Sequence, residues 1–292
     1  MCQQTVTRYL QDWLEFRTPS LAPSTLDGYF RSLNNHITPQ IGSVMLEELT
    51  PSDILRCLAP LCADGKTRQA QLVRILLRCA LQDAVRMGLI SHNPADAVRQ
   101  PAHRKQCIQY WSPETIHKFV TAQRFAPLYH VWLLALLCGL RRGELLGLRW
   151  SDVDLSAAQI HVCNQRMLIN GALIDRPPKS AAGVRDIPLP PVLVTALTRA
   201  RRSAASVYVC PLTPQQLRRE LCKACASAGV PTLHIHGLRH SMATAALEAG
   251  VDIKVLQTLL GHSHFSVTAD TYLHPSSSIR AGAVAALAAS VI

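Results

Sequence analysis

The sequence predicts a mainly α-helical chain with a small antiparallel β-sheet in its second half. Three observations carry this expectation. Apolar residues recur at helical spacing through the first hundred positions. Three short runs rich in Val and Ile, QIHVCNQRMLI, GALIDRPP and GVRDIPL, are separated by turn chemistry. Helical periodicity then returns. The chain has 292 residues, 48% of them apolar, which suits two domains with a sizeable core and excludes wholesale disorder.

Taken in order, TVTRYLQDWLEF reads as a first helix. A second is expected over PSTLDGYFRSLNNHI, with Ser24 as N-cap and Pro23 just ahead of it. TPSDILRCLAPL opens with Thr50 as N-cap and Pro51 at the first helical position. TRQAQLVRILLRCALQDAVRMG is a long amphipathic helix closed by Gly88. The pattern breaks at Pro94, and PAHRKQCIQY combines proline with a basic cluster and no period, as a linker does. The expected organisation is a helical domain over 1–100, a linker over 101–110 and a second domain over 111–292.

The second domain starts at WSPETIHKFV, where Ser112 and Glu114 mark a helix start. FAPLYHVWLLALLC is a buried helix ending at Gly139, and RRGELLGL a shorter one. The three strand-like runs follow, separated by Asn-Gly and by a Lys-Ser-Ala-Ala-Gly loop. PPVLVTALTRARR is helical, as is TPQQLRRELCKACASAG with Thr213 as cap. LRHSMATAALEAG, VDIKVLQTLLG and SVTADTYLH complete the helical set.

The formal net charge is +11, and arginine is spread along the chain rather than gathered in a tail. A folded basic surface is expected, and its usual partner is nucleic acid. Most of the ten cysteines lie in apolar runs such as LLRCAL, where a free thiol acts as a small hydrophobe. With no secretory segment, a reducing cytosol is expected. Cys222 and Cys225, followed by His234 and His236, have the make-up of a zinc site, but RELCKACASAG is helical and its cysteines can face a core, so no metal is expected. The longest apolar run, VWLLALLCGL, is too short to span a bilayer. The polar, amphipathic N-terminus is no signal peptide.

The stretch HGLRH sets His236, Arg239 and His240, three potentially cationic side chains, at the start of an otherwise apolar helix. Core packing does not call for them, whereas a helix N-terminus favours an anion. His236 and Arg239 are three apart and share one face. HGLRHSMATAALEAGVDIKVLQTLLGHSHFSVTADTYLH resembles the active-site segment of tyrosine recombinases, the phage-integrase family. Its pattern of His-x-x-Arg opening a helix, Gly-His after a leucine-rich helix and a later tyrosine is met by His236, Arg239, Gly261-His262 and Tyr272. CGLRRGELLGLRWSDVDL resembles the first-arginine box, which places that arginine at Arg141 beside Arg142. RPPKSAAGVRDIPL resembles the hairpin lysine segment, which places the lysine at Lys179, with Arg185 a neighbouring cation.

The resemblance covers nearly the whole chain. It implies a helical, SAM-like core-binding domain and a mixed α+β tyrosine-recombinase catalytic domain with a C-terminal tail helix. It implies site-specific DNA recombination, with integration or excision as outcomes, through a 3′-phosphotyrosine intermediate. The chemistry asks for the same residue types. Arg141 and Arg239 would clamp the non-bridging oxygens of a pentacoordinate phosphorus. Tyr272 would be the nucleophile, activated by nearby cations. The family's general acid maps to Lys179, the proton acceptor or shuttle to His236 and a hydrogen-bond donor to His262. Glu144 and Asp152 are expected to support the arginine box by ion pairing or capping, and His240 to pack behind it. No cofactor, metal or ATP is implied.

The implied partner is double-stranded DNA with specific core sites, bound by a homo-oligomer that forms a tetramer in the synapse, with DNA-bending accessory proteins as further candidates and no membrane. Lys66 and Arg68, with Arg74 and Arg78, lie on or near a helix suited to the major groove, against the alternative of a solvated basic face. AGAVAALAASVI reads as an apolar tail helix that must pack somewhere; the resemblance implies docking on a neighbouring protomer, against the alternative of docking on its own domain. No arm-binding domain is expected, because the core-binding helices begin almost at Met1. The competing readings are a type IB topoisomerase-like enzyme and a catalytically inactive DNA-binding protein.

Overall fold

The computed structural model describes residues 4–102, 109–169, 171–178 and 180–261. The chain divides into two compact units, Met1–Gln106 and Cys107–Ile292.

In the first unit, Thr5 caps α1 (Val6–Arg17) by accepting from the Arg8 amide. The next helix, α2 (Pro23–Ser32), is capped two residues earlier than its sequence signals imply: Ala22, not Ser24, is the N-cap and Pro23 takes the first helical position. Proline fits there because its fixed φ is already helical and its missing N–H would have no partner in that turn. The LNNHI segment continues as a π-helical turn, Leu33–Ile37, into the short α3 (Thr38–Ile41). Helix α4 (Pro51–Ala63) opens with a reciprocal box between Thr50 and Asp53, and α5 (Thr67–Arg86) ends before Gly88 at φ 72°. Tyr9, Leu10, Trp13 and Leu14 of α1 pack with Leu76, Leu77 and Leu81 of α5 in one core. Two polar ties align these helices: the Tyr9 hydroxyl donates to the Ala80 carbonyl at 2.6 Å and Trp13 Nε1 to Asp83 at 2.9 Å.

In the second unit, Ser112 caps α6 (Pro113–Ala122). Helix α7 (Tyr129–Leu137) is apolar all round and buried from His130 to Leu136, as a central core helix must be. The short α8 (Arg142–Gly147) follows. The strands are β1 (Val153–Asp154), β2 (Gln159–Val162), β3 (Gln165–Ile169), β4 (Ala172–Arg176) and β5 (Arg185–Pro188). They form two antiparallel sheets, β1-β2-β5 and β3-β4. The run QIHVCNQRMLI is therefore two strands: Val162 pairs with Arg185, the chain turns at Cys163-Asn164, and Gln165 pairs with Arg176. A continuous apolar pattern cannot report such a change of partner, because each strand keeps its own period of two.

Four helices complete the described residues: α9 (Pro191–Arg202), α10 (Pro214–Ala228), α11 (Ile235–Glu248) and α12 (Ile253–Leu260). Phe119 centres the core, its ring 4.8 Å from that of Trp111 and 6.3 Å from that of Trp132. Among the described residues no helix is long and apolar enough to cross a membrane. SVTADTYLH and AGAVAALAASVI, read as helices, lie outside the described residues.

Phe119 is fully buried between two indoles. Phe119→Ala should lower unfolding free energy by about 3–5 kcal/mol in denaturant titration, and Phe119→Leu by clearly less.

Candidate active site

His234 is the N-cap of α11, so His236 falls in the first turn and Arg239 and His240 one turn deeper. Arg239 is 1% exposed. Its Nη1 donates to the Gly139 carbonyl at 2.6 Å and its Nη2 to the Leu260 carbonyl at 2.7 Å. The backbone conformation at residue 139 favours glycine. Its φ is 58°, and a Cβ there would collide with the Met242 side chain, which lies one turn along α11 from Arg239.

Arg141 is the N-cap of α8. Its backbone N–H donates to Glu144 Oε2 at 2.9 Å, its Nη1 to Glu144 Oε1 at 2.7 Å and its Nη2 to the Gly261 carbonyl at 2.7 Å. Arg185, the first residue of β5, reaches the same carboxylate from the other side. Its Nη1 and Nη2 meet Oε1 and Oε2 at 3.2 and 3.0 Å, and its Nε donates to the Leu259 carbonyl at 2.6 Å. Three guanidinium groups thus take three consecutive carbonyls, Leu259, Leu260 and Gly261, at the end of α12. These carbonyls have no partner within their helix and form the negative end of its dipole. Gly261 closes the helix in the left-handed region at φ 63°, and a Cβ there would lie 2.7 Å from the Ala182 carbonyl and 2.9 Å from Arg185 Nη1.

The charges sort by exposure. The Glu144 side chain is 3% exposed. Burial pushes its carboxyl up, but the hydrogen bonds and charges of Arg185 and Arg141 outweigh this and hold it below the usual carboxylate range. The Arg141 side chain keeps 36% of its surface. His236 is exposed, and His240 is buried beneath it with ring centroids 4.6 Å apart and planes at 81°. The surrounding protein withdraws water from the His236 ring even though one side stays open, and the Arg239 and Arg141 charges add to this, so its pKa is lowered. Burial, then His236 and Arg239, lower His240 to about 4. Both lowered values favour the neutral imidazole, as a proton acceptor at His236 requires. The cations are arginines, and a neutral His236 can both accept and donate a proton.

Arg141, His236 and Arg239 come together here. Lys179, His262 and Tyr272 lie outside the described residues. Glu144 pairs with Arg141, and Asp152 accepts from the Arg149 amide at 3.0 Å. In the first unit, exposed Lys66 pairs with Asp64 at 2.8 Å and Arg68 Nη1 donates to Gln71 at 3.1 Å. Arg74 is tied within the unit: its Nε and Nη2 donate to the Val98 and Ala95 carbonyls at 2.7 and 3.3 Å. Cys225 is buried in the core, and among the described residues no group of His, Cys, Asp or Glu is placed to hold a metal. Sequence reasoning passed over Arg185 as a neighbour of Lys179. The signal was the alternation of β5, which puts Arg185 on the buried face with Ile187, where an arginine must find a carboxylate.

A partly exposed arginine and an exposed histidine over buried arginines give the site a chemistry suited to an oxyanion. Residues 113–278 match the phage integrase family and residues 7–101 the phage integrase central domain. The chain is 31% identical to a putative prophage phiRv2 integrase of Mycobacterium tuberculosis, over 87% of this chain and 70% of that protein. It is 28% identical to a XerC-like tyrosine recombinase of Caldanaerobacter subterraneus subsp. tengcongensis, over 92% of this chain and 79% of that protein. The Tn1549 transposon integrase, in complex with circular intermediate DNA, superposes with a TM-score of 0.81 at 20% identity, covering 97% of this chain and all of that one. The protein belongs to the phage integrase family, the tyrosine recombinases.

The lowered His240 has a consequence for stability. The unfolded chain binds its proton near 6.5 and the folded chain only near 4. This contribution is complete above pH 6.5 and is lost as pH falls towards 4. Melting temperature should drop through that window, and His240→Gln should flatten the drop.

Proposed function

We propose that the chain is a site-specific recombinase acting on double-stranded DNA core sites, with Arg141, Lys179, His236, Arg239, His262 and Tyr272 as its catalytic set. The observation that supports this most directly is the convergence of Arg141 and Arg239 on the adjacent carbonyls of Gly261 and Leu260, one residue before His262. Family membership supports the breaking and rejoining of DNA strands.

The chemistry follows from these side chains. Tyr272 attacks the scissile phosphorus, and the pentacoordinate state gathers negative charge on its non-bridging oxygens. Arg141 and Arg239, with His262, stabilise that charge. A phenol with a pKa near 10 needs help to ionise, and neutral His236 takes its proton. Lys179 protonates the departing 5′ oxygen. The product is a 3′-phosphotyrosine, whose retained phosphoester energy allows a 5′ hydroxyl to reverse the step without ATP. The roles assigned here call for no cofactor.

Solved relatives of this fold include a lambda integrase dimer on a core site and a lambda integrase tetramer on a Holliday junction, which supports DNA-bound oligomers here. The net charge of +11 supports binding in which phosphate contacts supply much of the affinity. Lys66 and Arg68 remain candidate DNA contacts in the first unit. A cytoplasmic, nucleoid-associated location fits the activity.

The test is a nicked suicide duplex recovered from genomic DNA by covalent capture on the protein. The wild-type chain should form a denaturant-resistant adduct and Tyr272→Phe none, while Arg239→Ala should cut the adduct rate by about 100-fold or more. An undiminished adduct in Tyr272→Phe would overturn the reading. Strand exchange between two duplexes, rather than relaxation of one supercoiled plasmid, separates a recombinase from a topoisomerase.

A further inference from the structure

Arg185 is buried, at 8% exposure, and faces inward. It makes four hydrogen bonds to three separate parts of the unit: two to the Glu144 carboxylate on α8, one to the Gly183 carbonyl in the turn before β5, and one to the Leu259 carbonyl at the end of α12. Glu144 passes the constraint on, since its two oxygens also receive the backbone N–H and Nη1 of Arg141. The Arg185–Glu144 contact is a fork-to-fork pair, the geometry that fixes orientation as well as distance. An ammonium offers its donors from a single point and cannot span both carboxylate oxygens and a third carbonyl at once.

We propose that Arg185 is a positioning residue for strand cleavage: it locks Glu144 in place and thereby aims Arg141 at the scissile phosphate. The inference rests on the reading of the chain as a strand-cleaving recombinase. Arg185 does not touch the DNA. It keeps the partly exposed Arg141 guanidinium in one rotamer, so that the positive charge is already in place when the pentacoordinate phosphorus forms. Without the second cation, Glu144 would be a buried carboxylate with one partner and would draw Arg141 inward.

The test uses the full chain and the captured suicide duplex in single-turnover cleavage, with DNA affinity measured separately and folding checked by melting. Arg185→Lys keeps the charge and removes the fork. It should bind DNA within about twofold of wild type and cleave at least about tenfold more slowly. A duplex carrying a methylphosphonate at the scissile position lacks the negative charge that Arg141 meets, so on it the deficit should shrink to less than about threefold. Equal deficits on the two duplexes would mean a general structural role and overturn the proposal, as would wild-type cleavage by Arg185→Lys.

Should Arg185→Lys not fold, a comparison between Glu144→Gln and the double variant Glu144→Gln/Arg185→Met replaces it. With the Glu144 link already cut, adding Arg185→Met should change the cleavage rate by less than about twofold. Additive losses, or failure of the double variant to fold, would overturn the proposal. A wild-type chain that forms no adduct with any captured duplex overturns the recombinase reading itself, whereas a wild-type adduct with an unimpaired Arg185→Lys overturns this inference alone.

Discussion

The second unit is organised around one buried carboxylate. Glu144 is 3% exposed and accepts from two arginines that belong to different elements, Arg141 before α8 and Arg185 at the start of β5. A carboxylate so far from water is tolerated only when its oxygens are paired and hydrogen-bonded, and losing one partner of such a pair typically costs about 3–5 kcal/mol. That penalty couples the helix to the sheet: neither can shift without stranding a charge. The same two arginines, with Arg239, then cap α12, so the position where the chain leaves Gly261 follows from the position of Glu144.

The site divides its cations by task. Arg185 is tied to carboxylate and carbonyl oxygens inside the fold, Arg239 is held at the site by the carbonyls of Gly139 and Leu260, and Arg141 retains exposed surface. Burial is the largest cause of the lowered pKa of both histidines, and the charges of Arg239 and Arg141 at His236, and of His236 and Arg239 at His240, add to it. The weak basicity of His236 thus comes first from the protein packed around its ring and then from the arginines beside it. A second cationic side chain at that position would be redundant for binding a phosphate and unable to take a proton from a phenol. Under the proposed mechanism, charge stabilisation would fall to groups that never titrate and proton transfer to one that does.

Most of the fold was legible because its signals are local. Thr5, Thr50, Ser112 and Thr213 each stand at an N-cap, and Gly88, Gly139, Gly229 and Gly261 each take a positive φ at or just past a helix end. These choices depend on the few residues around them. The π-helical turn at Leu33–Ile37 and the splitting of QIHVCNQRMLI into two sheets were not legible, because each depends on partners distant in the chain. The site followed the same division. His236 and Arg239 stand out by their spacing at a helix start, and Arg141 by the resemblance of the stretch around it to a family motif. The role of Arg185 is set by Glu144, forty-one positions away, and no local pattern carries that distance.

The first unit shows how far charge counting can be trusted. Arg74 and Arg78 lie on the same basic helix, yet Arg74 is bound to the carbonyls of Ala95 and Val98 and Arg78 to Asp96. They hold the Pro94–Asp96 turn against α5. Lys66 and Arg68 are exposed and tied only to near neighbours, Asp64 and Gln71, by contacts that an incoming phosphate can replace at little cost. A net charge of +11 therefore overstates the surface offered to a polyanion, because arginines such as Arg74 and Arg185 are bound internally. What attracts DNA is the remainder, and what acts on it is the subset that the internal arginines hold in place.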